Sequence, residues 1–396
     1  MTDRPKVPLP GTRSGPLDLV ESLSRRGISR RQFMQFCTAM AATLALPASA
    51  VPDMARALQA TRRVPAVYFE FQDCAGCIEA FLRAPHPTIA EIVLDLLSLN
   101  YQETIMAAAG EAAEAAAAAT IEEGGYLLLV EGAIPLKDDG VYCCIAGRTA
   151  LDIVREAAET AVAAIATGNC ACFGNIPAAN PNPTGAVGLR EVIRNIPVVN
   201  MAGCPPNAIN LAAVVTHYLT FNSLPALDHH ARPVFAYGER IHDHCPRRPH
   251  FDAGQFVEQW GDEGHRLSWC LYKMGCKGPQ TYHNCPVVEY NEGTSWPIEA
   301  GHPCVGCSEP QFWDTMTPFY RRLPEVTGLT VESNVDTIGL VLTGATAVAI
   351  GAHAVGSILR KRQPLPAADA ELSEGAIVDE PLAERRVVDR DVEEGE

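Results

Sequence analysis

Cysteine and histidine are the residues of this chain that could do chemistry, and they fall into three groups. The first is Cys74 and Cys77 in "CAGC", Cys170 in "TGNCACFG" and Cys204 in "AGCPP". Four thiolates make an environment that suits a 4Fe-4S cluster, and zinc would accept the same donors. The second is His242 and Cys245 in "HDHC" with Cys270 and Cys276 in "WCLYKMGC". The HxxC spacing favours His242 over His244, and an imidazole in place of one thiolate makes a cluster less negative and easier to reduce. The third is Cys285 with Cys304 and Cys307, the last two closing "SWPIEAGHPCVGC". Three thiolates can hold a 3Fe-4S cluster, in which one cubane corner is empty. Pro297, with no donor side chain and no N–H, suits that corner. Cys143, Cys144 and Cys172 read better as packing residues. Three clusters in one chain point to an electron relay.

The rest of the composition agrees with a relay and excludes other chemistry. The chain has 396 residues, 47% of them hydrophobic, enough for two domains. A formal net charge of −16 argues against a nucleic-acid partner. "GNIPAANPNPTGAVG" is rich in Gly and Pro but is not a GxGxxG turning from strand into helix, so no flavin or nicotinamide fingerprint is present. No nucleophile–base pairing stands out, and bond-breaking chemistry is therefore expected in a partner.

Export bears on what fourteen cysteines mean. "SRRQFMQF" carries Arg30 and Arg31 ahead of the apolar run "FCTAMAATLALPASA", the pattern of a twin-arginine signal over residues 1–50, with cleavage expected near Ala50. That route carries folded proteins, so cofactors are loaded first and the cysteines are free to be ligands. Cys37 lies within the signal, which leaves an odd number in the mature chain, and a pure disulfide framework would leave one unpaired.

The elements that must position these groups alternate from Val64 onward. "PAVYFEF" reads as strand and "AEIVLDLLSL" as helix, followed by an alanine-rich helix around Met106 to Glu123. "YLLLVEG" reads as a buried strand, "LDIVREAAETAVAAIATG" as helix and "IPVVNMAGCPP" as strand. Such alternation predicts an α/β fold with a doubly wound parallel sheet, whose ligands sit at the carboxyl ends of the strands. Cys74, Cys77, Cys170 and Cys204 would converge there. After Leu224 the periodicity fades into Pro, Gly, His, Cys and Trp, and clusters would have to hold that region together. Residues 338–359 are apolar and, at about 1.5 Å each, span about 33 Å, enough for a bilayer core of about 30 Å. Arg360, Lys361 and Arg362 follow and would stay cytoplasmic, with the main body on the periplasmic side. Residues 363–396 are acidic, without aromatics, and read as a disordered tail.

The stretches "CAGCIEAF", "VEGAIP", "TGNCACFGNIPAANPNPTGA", "GCPPN", "SWCLYKMGCKGP" and "WPIEAGHPCVGCSEPQFWD" resemble the small subunit of membrane-bound nickel-iron hydrogenases over nearly the whole chain. The resemblance implies a flavodoxin-like domain over 64–223, an irregular iron-sulfur domain over 224–330 and a transmembrane anchor over 338–359. It implies a proximal 4Fe-4S cluster on Cys74, Cys77, Cys170 and Cys204. A medial 3Fe-4S cluster falls on Cys285, Cys304 and Cys307, with Pro297 matching the family's proline. A distal 4Fe-4S cluster falls on His242, Cys245, Cys270 and Cys276. It also implies a large-subunit partner holding the nickel-iron centre and a membrane electron carrier such as a b-type cytochrome, with His353 the one candidate haem ligand. Oxygen-tolerant members carry extra cysteines where Gly76 and Asn175 stand here, so an ordinary proximal cluster is implied. Cys172 neighbours Cys170, and the family pattern favours Cys170 as ligand. The competing readings are a membrane-tethered iron-sulfur protein related to the cluster-bearing component of the quinone-reducing respiratory complex, and an exported domain stapled by zinc or disulfides.

Overall fold

The computed structural model describes residues 23–24, 27–60, 63–83, 96–291, 293–321 and 335–361. Two units are present, one reaching Ile338 and one starting at Gly339. In chain order the first unit contains α1 (Arg30–Thr43), α2 (Val51–Ala60), β1 (Val64–Glu70), α3 (Gly76–Leu82), β2 (Leu97–Gln102), α4 (Glu111–Glu123) and β3 (Leu127–Glu131). There follow α5 (Ala150–Thr160), β4 (Ala163–Thr167), α6 (Gly168–Phe173), β5 (Val198–Met201) and α7 (Ala208–Phe221).

The five strands form one parallel sheet in the order β2-β1-β3-β4-β5, the flavodoxin-like arrangement. Register decides where the loops emerge. Glu70 pairs with Glu131, Glu131 with Thr167, and Thr167 with Met201, so four strands end on one line across the sheet. The segments carrying Cys74 and Cys77, Cys170, and Cys204 all leave from that line.

Two strands depart from the expected elements. The run 151–168, expected as one helix, stops being helical at Thr160, and Ala163–Thr167 is β4, buried at every position between β3 and β5. A strand covered on both faces needs no polar–apolar alternation, and "AAIAT" offers alanine, a helix former, so only pairing with neighbours reveals it. Similarly Leu97–Leu99, expected at the end of a helix, belong to β2; residues 90–95 of that expectation lie outside the described residues. The alanine-rich helix begins at Glu111, after Gly110 at φ +58°, rather than at Met106.

The segment read as an export signal is packed in the full-length chain. Ser29 caps α1 reciprocally with Gln32, a capping box that starts the helix at the arginine pair. Phe33, Phe36, Cys37 and Met40 are buried, while Arg30 and Arg31 are exposed. Both α1 and α2 lie against α7, whose residues Asn210–Leu219 are all buried because the helix also covers the sheet.

After α7 the unit has short helical turns and no long element among the described residues. A second apolar core takes over, in which Ile241, Val257, Leu271, Trp296 and Ile298 pack with Cys276, Cys285 and Cys304. Buried side chains tie this region to the sheet. Asn210 and Asn284 exchange amide hydrogen bonds at 2.8 and 3.0 Å, and the Asn169 amide donates to the Glu309 carbonyl at 3.0 Å.

The second unit contains most of α8 (Val335–Lys361), from Gly339 onward. Residues 341–358 are exposed throughout, and this is the one helix among the described residues long and apolar enough to cross a membrane. His353 lies on it. Residues 362–396, including the expected tail, lie outside the described residues.

Candidate metal centres

At the carboxyl edge of the sheet, α3 begins directly after Cys74, with Ala75 in the left-handed region at φ +56°. Glu131, at the end of β3 and 1% exposed, accepts from the backbone N–H of Cys77 at 2.9 Å and of Ile78 at 3.1 Å, and from the Tyr68 hydroxyl at 2.7 Å. The carboxylate thus ties the CxxC turn to the sheet's central strand, where the helix's first amides favour negative charge. Gly168, at φ +87°, gives the Cys77 sulfur its space: a Cβ there would lie 2.3 Å from Sγ. Asn175 points its amide at two further sulfurs, Cys170 at 3.6 Å and Cys204 at 3.8 Å. Burial, the Glu131 charge and the neighbouring Cys170 and Cys204 push the Cys77 thiol far up, and burial pushes Cys170 up to about 12. All four sulfurs of the first group therefore face one another across these loops.

Cys172 does not join them. Its thiol donates to the Ala166 carbonyl within the sheet's core, and burial holds it neutral. Cys170→Ser is expected to lower the iron content of the purified protein, whereas Cys172→Ser should leave it unchanged with a small loss of stability. Iron and acid-labile sulfide content of the two purified variants checks this, and equal loss in both would refute the distinction.

The third group surrounds a cavity of about 600 Å³, with Cys285, Cys304, Cys307 and Pro297 on its wall together with His283 and Cys204. Cys285 and Cys304 are buried, and burial pushes the Cys307 thiol up to about 11. The second group lines a separate, smaller cavity that holds His242, Cys245, Cys270 and Cys276. Burial lowers the His242 imidazole to about 4, so near neutrality the ring is neutral and one of its nitrogens offers a lone pair. His244 instead faces solvent and bonds Glu239. Burial pushes Cys270 up to about 12 and Cys276 up to about 11.

The three groups touch in sequence. Cys204 shares the wall of the third group's cavity, joining the first group to the third, and the amide of Lys277, next to Cys276, donates to the Cys304 carbonyl at 2.8 Å, joining the third to the second. None of the fourteen cysteines forms a disulfide. Unpaired, converging thiols, several of them buried, with glycine-made space fit metal clusters, whose binding would displace the thiol protons.

Sequence reasoning missed several polar groups around these sites. Glu70, Asp73 and Glu131 bring carboxylate oxygens within 4.8 Å of one another, and burial with that crowding lifts Asp73 to about 7. Arg232, 2% exposed, bonds Asp228 at 2.9 Å, Glu309 at 3.2 Å and the Ser308 carbonyl at 3.0 Å, immediately beyond Cys307. Partners far apart in sequence make these groups, so no spacing signalled them.

Comparison with known proteins follows the same division of the chain. Residues 237–320 match the family model for the C-terminal part of the NiFe/NiFeSe hydrogenase small subunit, and residues 74–218 match that of the NADH ubiquinone oxidoreductase 20 Kd subunit. The uptake hydrogenase small subunit of Azotobacter vinelandii is 46% identical over 86% of this chain and 96% of its own length. The periplasmic [NiFe] hydrogenase small subunit 1 of Nitratidesulfovibrio vulgaris is 50% identical over 76% of this chain and 96% of its own. A solved [NiFeSe]-hydrogenase chain of Dm. baculatum superposes with a TM-score of 0.61 at 35% identity, covering 66% of this chain and all of that one. The match over the sulfur-rich region separates this chain from the respiratory-complex subunits that resemble its first half. With relatives this similar along most of its length, the chain belongs to the family of nickel-iron hydrogenase small subunits.

Proposed function

We propose that this chain carries electrons between a nickel-iron centre held by a large subunit and a membrane electron carrier, through proximal, medial and distal sites. The observation that supports the order is the position of the third group, whose cavity wall includes Cys204 of the first group and whose Cys304 carbonyl accepts from the Lys277 amide beside Cys276 of the second. Bound 4Fe-4S, 3Fe-4S and 4Fe-4S clusters would supply one-electron transfer at these three sites. Cys74, Cys77, Cys170 and Cys204 would hold the proximal cluster, and Glu131 and Asn175 fix that loop geometry. Cys285, Cys304 and Cys307 would hold the medial cluster, with Pro297 offering nothing to a fourth iron. His242, Cys245, Cys270 and Cys276 would hold the distal one, and the imidazole lowers the negative charge at that end of the relay.

We read the two ends of the chain as setting its location. Arg30 and Arg31 occupy the first turn of α1, where cations oppose the helix dipole, so recognition by the twin-arginine route explains them better than helix stability does. The exposed apolar α8 then serves as the anchor, with Lys361 at its cytoplasmic end and His353 as candidate ligand of a cytochrome haem. These features favour a periplasmic body attached to the membrane.

Co-expression with the partner encoded beside it, followed by purification from membranes, tests the proposal. Hydrogen-dependent dye reduction by a complex of the two proteins, with a 3Fe-4S EPR signal in the oxidised state, is expected. A chain isolated without a nickel-bearing partner, or holding zinc in place of iron, would overturn it.

A further inference from the structure

His283 stands two residues before Cys285 on the wall of the medial cavity and is 3% exposed. Its Nδ1 lies 3.0 Å from the Cys285 sulfur. The ring is held in place from the other side: Tyr237 packs edge-on against it at 5.0 Å and 87°, and the Tyr237 hydroxyl is itself anchored on the Ala202 carbonyl at 2.6 Å. Nε2 has no hydrogen-bond partner among the described residues, so the one polar contact of this buried ring is the one to sulfur.

Chemistry decides the direction of that contact. A cysteine bound to iron is a thiolate and offers only lone pairs, so the nitrogen facing it must carry the hydrogen. A hydrogen bond donated to a cluster sulfur stabilises the more negative, reduced state and raises the reduction potential. Of the three medial cysteines, Cys285 alone meets an imidazole this way; Cys304 accepts from the Gly306 amide at 3.4 Å.

We propose that His283 is a positioning residue that donates Nδ1–H to the Cys285 sulfur and raises the potential of the medial cluster. The proposal rests on the reading of Cys285, Cys304 and Cys307 as the medial ligands, and a side chain reaching one ligand sulfur acts on that cluster alone.

The test uses the complete two-subunit protein and a redox titration of the oxidised medial EPR signal. In His283→Phe the medial midpoint is expected to fall so that the reduced-to-oxidised ratio at the wild-type midpoint drops about tenfold, which is about 59 mV for one electron. The proximal and distal midpoints should stay in place, and His283→Asn, whose amide can still donate, should recover part of the shift. Pulsed EPR of the wild type in deuterated buffer should show an exchangeable deuteron coupled to the medial cluster; this measurement stands even if a variant fails to assemble. An unchanged medial midpoint in a His283→Phe protein with its signal intact, or no exchangeable coupling in the wild type, would overturn the proposal. A wild type lacking the 3Fe-4S signal would instead sink the ligand reading beneath it.

Discussion

Pro297→Cys is expected to turn the 3Fe-4S cluster proposed for the medial site into a 4Fe-4S cluster and to lower its potential. Pro297 shares the cavity wall with Cys285, Cys304 and Cys307, so a thiol at that position would offer the fourth donor that three cysteines lack. The backbone there is held independently of the proline ring. Trp296 and Ile298 on either side are buried, the Pro297 carbonyl accepts from the His302 amide at 2.8 Å, and the Ala300 amide closes a helical turn on Trp296 at 3.0 Å. The substitution therefore adds a donor without moving the loop. The oxidised protein should lose its 3Fe-4S EPR signal, and the medial midpoint should fall by ~100 mV or more, at about 59 mV for each tenfold change in a one-electron ratio. Hydrogen-dependent reduction of a dye that accepts electrons at the distal end should slow, because the middle of the relay becomes a higher step. Persistence of the three-iron signal would mean that something other than Pro297 sets the iron count.

Arg232→Met is expected to destabilise the protein by about 3–5 kcal/mol, the usual cost of removing one partner of a buried ion pair. Arg232 is 2% exposed and lies between Asp228 and Glu309, whose side chains are 15% and 12% exposed. Without the guanidinium, two carboxylates face each other in a dry pocket, and the stretch of chain running from Cys307 through Ser308 and Glu309 loses its tie to Asp228 through three hydrogen bonds. The medial cluster should be the first to be lost on heating. The pH dependence has a definite sign. Burial already raises the Glu309 carboxyl in the native protein, with Arg232 opposing the rise. In the variant its folded pKa climbs further above the unfolded value, so folding favours the protonated acid. The defect is then smallest at mildly acid pH and grows as pH rises through the folded pKa. Thermal loss of the medial EPR signal, followed for wild type and variant at two pH values, checks both statements. Equal loss with no pH dependence would show that Arg232 contributes packing alone.

Legibility in the sequence followed the range of the interactions involved. β1, β3 and β5 were readable because each is a short apolar run bounded by turn residues. β2 and β4 were not: "LSLNYQ" alternates apolar and polar residues but follows directly on an apolar run that reads as helix, and "AAIAT" carries no strand pattern of its own and is a strand because its neighbours pair with it. The apolar run beyond Arg31 was legible as export-like, but not its packing against α7, because an amphipathic helix does not announce which surface it will cover.

The sequence by itself determined the donor types and their local grouping: the CxxC bites, the HxxC, and a proline where a fourth thiol could have stood. These lie within a few residues of one another, where covalent spacing limits what can meet. Only the tertiary structure decided how the groups are ordered. Cys204 shares the wall of the third group's cavity, and the Cys304 carbonyl accepts from the Lys277 amide beside Cys276. Glu131 reaches the Cys77 amide, Arg232 reaches Ser308, and Tyr237 fixes the His283 ring, across separations that no spacing encodes. The physical reason is that long-range contacts follow from sheet register and core packing, each a sum of many weak preferences that no single stretch of sequence contains.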